Sequence, residues 1–198
     1  MKTLSLSKTI AVSLGALIVL LAVVFTLKAQ TTTVTLKGGS KLVYSMNASE
    51  THDVTVIVNT MMPTISYKWR KSDTEYGKVI VSQAAFETGR SVSTYLFDDP
   101  TGNFAFFWIS KGMLSELNLG KTSFSLNKTD KMVGVAKVGI EQLSIKVNGV
   151  MKSVEVIHEK SVVPGSTEEF YVLNDASNPL ILKITSADGG FTLKEITE

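Results

Sequence analysis

The sequence predicts a mainly β fold: a curved antiparallel sheet or partly open barrel that carries two short helices. Three observations predict it. Short runs of Val, Ile, Thr, Tyr and Phe recur at a spacing of about ten residues from Thr31 onward, punctuated by Gly, Asn, Asp and Pro. No helical stretch is long enough to cross over between parallel strands at each step. One strand is apolar on both faces, which requires the sheet to curl or to be covered.

The first 29 residues form a leader, in which Lys2, Lys8 and Lys28 stand without any acidic residue. Ile10–Leu27 is an apolar run broken only by Ser13, Gly15 and Thr26. As a helix it would span about 27 Å, near the thickness of a bilayer's hydrocarbon core. That is long for a signal peptide and short for an anchor. Cleavage after Ala29 would make Gln30 the first mature residue, although Leu27 sits where a small side chain is favoured. The basic end stays on the cytoplasmic side, so the rest of the chain lies outside. The expected location is periplasmic or secreted. The alternative is an inner-membrane anchor through residues 10–27, with the domain facing outward.

Removing the three leader lysines from the chain's 20 Lys and Arg leaves 17, against 18 Asp and Glu. The pI of 8.7 therefore owes much to the leader. A near-neutral domain has no field to gather phosphates, which argues against nucleic acid as a partner. There is no cysteine, which excludes disulfides, thiolate metal sites and cysteine nucleophiles. An exported chain that relies on its core alone fits the bacterial envelope.

Residues 30–41 read as a linker or edge segment, and 42–198 as a single β-rich domain. Strands are expected at Leu42–Met46, Asp53–Asn59, Ile65–Lys71, Lys78–Val81, Val92–Phe97, Phe104–Ile109 and Ser123–Leu126. Further strands are expected at Met132–Lys137, Glu141–Val147, Val150–His158, Glu169–Leu173, Leu180–Thr185 and Gly190–Ile196. Ser82 can cap a helix that stops at Gly89, and Ser110 one that stops at Gly120. Asn148-Gly149 accepts the positive φ angles of a tight hairpin turn. A two-residue loop there sets Ile145 opposite Lys152, which a bulge or an edge position would relieve. Pro179 marks a strand start, and the polar strand containing Thr192, Lys194 and Glu195 reads as an edge.

Candidate chemistry is sparse. His52 lies in the polar stretch "ASETHD" and His158 at a strand end. Both read as solvated positions, because a catalytic triad is assembled from separate segments. "FDDPTGN" (97–103) lacks calcium-loop spacing and is explained by turn chemistry. No phosphate loop, zinc-binding helix pair or nucleophile elbow occurs, so no cofactor, metal or catalytic residue is assigned. The aromatic strands carry the one binding signal. Tyr67 and Trp69 share one face of "SYKWRK", opposite Lys68 and Arg70. Phe104, Phe106 and Trp108 share one face of "NFAFFWIS", opposite Ala105, Phe107 and Ile109. These rings fill a sheet core or line an apolar pocket.

The segments "GKVIVSQAAFETGRSVSTYLFDD" (77–99), "FFWISKGMLSEL" (106–117) and "EEFYVLNDASNPLILKI" (168–184) resemble a pattern in uncharacterised bacterial periplasmic β-rich proteins. The resemblance implies a curved sheet similar to the half-barrels of periplasmic lipoprotein carriers, and it brings no catalytic residues. The expected function is non-enzymatic binding of an apolar or lipid-like molecule against Tyr67, Trp69, Phe104, Phe106 and Trp108. The alternative is an assembly protein that pairs with an envelope partner through an exposed strand edge.

Overall fold

The computed structural model describes residues 32–47, 50–93, 107–126, 132–187 and 189–198. Ala29, Gln30, Phe104, Phe106 and the "FDDPTGN" loop lie outside the described residues. Thr32–Glu198 form one compact unit. No helix among the described residues is long and apolar enough to cross a membrane.

Period-2 alternation builds the N-terminal wing. Strands β1 (Lys41–Asn47), β2 (Thr51–Thr60), β3 (Ile65–Arg70) and β4 (Tyr76–Val81) form an antiparallel meander. They bury Leu42, Tyr44, Val54, Val56, Val58, Tyr67, Val79 and Val81 on one face. Helix α1 (Gln83–Thr88) follows, capped as expected by Ser82, whose Oγ accepts the Ala85 N–H. A side chain at Gly89 would bring its Cβ within 2.4 Å of the Ala85 carbonyl oxygen, so glycine is needed there for space. Helix α2 (Lys111–Asn118) is capped by Ser110 through the Met113 N–H, and the chain leaves it at Gly120 with φ +120°.

The remaining strands are β5 (Ser91–Val92), β6 (Lys121–Leu126), β7 (Met132–Val147), β8 (Val150–Ser161), β9 (Glu169–Leu173), β10 (Ile181–Ser186) and β11 (Gly189–Thr197). All belong to one sheet in the order β4-β3-β2-β1-β11-β10-β9-β8-β7-β6-β5. β11 also pairs in parallel with β7, so β7 to β11 close a five-stranded ring. The fold is thus mainly β with two helices, as the sequence predicts. The sheet is mixed, however, because β5–β6 and β7–β11 are parallel pairs.

Several elements differ from expectation. The two strands expected at 132–137 and 141–147 are one strand, in which a bulge between Lys137 and Gly139 breaks the alternation without ending the ladder. The bulge lies there, and the Ile145–Lys152 pair is held in regular register. The polar C-terminal strand is not an edge: β11 lies between β1 and β10 and touches β7 as well. β10, which follows Pro179, is interior too. Residues 107–109 contribute one isolated bridge, Trp108 to Leu180, and no regular strand.

The segment before β1 is packed. Val34 and Leu36 are buried, the Thr32 N–H donates to the Ser153 carbonyl at 3.0 Å, and the Gly39 N–H donates to that of Val58 at 2.8 Å. Residues 32–40 are therefore a strap on the ring and wing. Leu36→Ala should cost about 2–3 kcal/mol in urea unfolding, the lower part of the range for buried leucines. A loss under 0.5 kcal/mol would mean that the strap is not part of the cooperative unit.

Candidate functional site

The aromatic residues nominated by the sequence converge only in part. Tyr67 and Trp108 are fully buried, with ring centroids 5.4 Å apart. Phe107 lies 5.9 Å from Tyr67 and stacks on Tyr44 at 4.2 Å, and Phe191 meets both Tyr44 and Phe107 edge-on at 5.3 Å. Adjacent residues Phe107 and Trp108 both reach Tyr67, because the backbone there is not a strand and does not alternate. Two polar atoms of this cluster are tied, one to the backbone and one to an amide. The Tyr44 hydroxyl donates to the Ile181 carbonyl, and the Trp108 indole N–H donates to Asn178 Oδ1 at 2.8 Å. Burial pushes the Tyr44 phenol well above its ordinary range. These rings form a packed core linking wing, ring and helices.

Trp69 is placed differently. Its side chain is turned inward, but its strand borders a groove of about 350 Å³ on the opposite, outer face of β2, β3 and β4. Cross-strand register builds this face in two rows. Lys41, Ile57, Lys68 and Lys78 stand opposite one another in the first, and Val43, Thr55, Arg70 and Tyr76 in the second. Ile57 is 44% exposed and Tyr76 is 69% exposed, so two large apolar groups face solvent in the same hollow. Arg70 reaches Asp73 in the β3–β4 turn, which also lines the groove. Lys68 has no carboxylate partner among the described residues, and it stands directly opposite Lys78. Like charges directly opposite in a sheet are unfavourable.

A second groove, of about 480 Å³, lies beside α2, β6 and β7. Its carboxylate is satisfied internally. Glu116 accepts from Arg90 and from the Thr122 hydroxyl, and these partners hold its carboxyl down to about 2. The wing groove sets two large exposed apolar side chains, Ile57 and Tyr76, beside its lysine.

His158 departs most from expectation. It is buried in mid-ladder, with Nδ1 2.6 Å from Glu141 Oε1 and Nε2 3.2 Å from Glu169 Oε2, and it stacks on Tyr171 at 4.3 Å. Lys160 and then Tyr171 and His158 hold the Glu169 carboxyl below its ordinary value. The cluster ties β7, β8 and β9 together, and sequence reading missed it because its members come from three strands. His52 lies in β2 and meets the Glu50 carbonyl at 3.2 Å. Among the described residues no group of His, Cys, Asp and Glu could hold a metal ion.

No family model matches the chain, and no curated protein or solved structure is significantly similar to it.

Glu159, next to His158 on the opposite face of β8, is 1% exposed, and its Oε1 has no hydrogen-bond partner among the described residues. Burial raises its carboxyl from 4.5 to about 8. The folded state therefore holds a proton that the unfolded chain releases above its own lower pKa. Stability contributed this way is complete below about 4.5 and is lost as pH rises toward 8, by several kcal/mol at about 1.4 per pKa unit. Urea midpoints of the native chain should fall between pH 5 and pH 8 more steeply than those of Glu159→Gln. Equal slopes would contradict a buried, protonated carboxyl.

Proposed function

We propose that this chain is an exported, non-enzymatic binding domain that holds an apolar ligand bearing an acidic group in the groove on the outer face of β2, β3 and β4. The observation that carries the reading is the meeting of exposed Ile57 and Tyr76 with Lys68 in one hollow. Binding sites of this size combine apolar walls with a few polar anchors. Trp69, nominated from the sequence, borders this groove, and Tyr67 and Trp108 support the wing from its inner side. The basic, acid-free leader supports an outward-facing location, periplasmic or secreted, or anchored through residues 10–27. The sequence resemblance to periplasmic β-rich proteins points the same way.

A fluorescent fatty acid titrated into the full chain tests the reading. Lys68→Gln should weaken binding about tenfold, the equivalent of one charge-assisted hydrogen bond. Ile57→Asp should abolish it. Affinity unchanged by both substitutions would sink the groove as the site.

A second reading has its own observation. Among the described strands β4 ends the sheet beside β3, so its outer edge is where a strand from an envelope partner would add. If so, amide exchange in Tyr76–Val81 slows when the partner is present. Exchange that stays fast in the complex rejects this reading.

A further inference from the structure

We infer that the outer face of β1 to β4 docks on an anionic bilayer surface, with Lys41 and Lys68 over lipid headgroups and Ile57 and Tyr76 in the interfacial layer. This rests on the reading of the wing's outer face as a binding face and names what that face meets.

The charge arrangement carries the inference. Acidic groups on this face already have cationic partners: Asp73 with Arg70, Asp53 with Lys194 at 2.7 Å, and Glu195 with Lys146 at 3.8 Å. The row of Lys41, Ile57, Lys68 and Lys78 carries three lysines, of which Lys41 and Lys68 have no carboxylate partner among the described residues. Neighbouring strands are about 4.8 Å apart, so the row of four residues spans about 14 Å across the sheet. Exposed Tyr76 supplies an amphipathic ring of the kind found at membrane interfaces, and Ile57 supplies an aliphatic group between two lysines. Each basic residue near an anionic surface contributes about a fivefold gain in affinity, and interfacial apolar groups add to it. A row of lysines spread across several strands suits an extended anionic surface better than a single small anion. In this arrangement the groove lies against the layer that would supply a lipid-like ligand.

The chain has no cysteine, so Tyr76→Cys accepts a single environment-sensitive fluorophore on the full-length protein. The label should shift to an apolar signal with vesicles of phosphatidylcholine and phosphatidylglycerol, and not with phosphatidylcholine alone. Half-molar salt should reverse the shift, because it screens surface charge. Lys41→Gln together with Lys68→Gln should weaken the response about 25-fold. The same label at Leu119→Cys, at the end of α2, should stay aqueous throughout. An equal shift in neutral vesicles, an equal shift at Leu119, or no effect of the paired lysine substitutions would overturn the proposal. Lys41 lies outside the groove, so Lys41→Gln alone should weaken vesicle binding and leave fatty-acid binding intact. In the unsubstituted chain, fatty-acid binding without vesicle docking rejects only the bilayer, whereas vesicle docking without fatty-acid binding rejects only the groove.

Discussion

The structure depends on how an odd number of strands closes. A ring in which every neighbour is antiparallel needs an even count, and β7 to β11 are five. One pair must therefore be parallel, and that pair is β7–β11, joined at Lys146–Glu195 and Val147–Ile196. Parallel pairing over two residues is weak alone, and the surrounding residues reinforce it. The Asn148 N–H donates to the Ile196 carbonyl at 2.8 Å, and its side-chain oxygen accepts the Glu198 N–H at 2.9 Å. Glu198 in turn accepts from the Asn148 amide and, through Oε1, from the Thr35 N–H at 3.0 Å. The hairpin turn, the C-terminal residue and the N-terminal strap meet at this one seam.

Closure determines what the interior can contain. Once the ring and wing share a core, the rings of Tyr44, Tyr67, Phe107, Trp108 and Phe191 fill the space between them. Each such side chain contributes about 1.5–3 kcal/mol by burial, against about 0–1 for a surface ion pair such as Lys71–Glu75. Packing, and not the many ion pairs, holds the domain. The surfaces that folding does not consume remain, and the lysine-lined face of the wing, proposed above as the binding face, is one of them.

Local signals were legible in the sequence. Ser82 and Ser110 mark their helix starts, and Asn148 and Gly149 carry the positive φ angles of the hairpin, +50° and +83°. Long-range placement was not. β11 reads as a polar edge because Lys194 is exposed, yet its neighbours β1 and β7 come from distant parts of the chain and leave no local mark. Gly139 divides β7 on paper because a bulge looks like a break in alternation. Trp69 was nominated as a binding residue and borders the groove. The partners that make the groove, Ile57, Lys68 and Tyr76, are brought together only by cross-strand register. His158 was read as solvated because its two carboxylates stand on other strands.

Packing consumes the interior, and the proposed binding falls to the outer face of the wing. Amide chemical-shift mapping of the isotope-labelled full chain, titrated with oleate, tests it most directly. The largest shifts are expected at Thr55, Ile57, Lys68, Arg70 and Tyr76. Shifts centred instead on Tyr44, Phe107, Trp108 and Phe191 would place the ligand inside the core and contradict it.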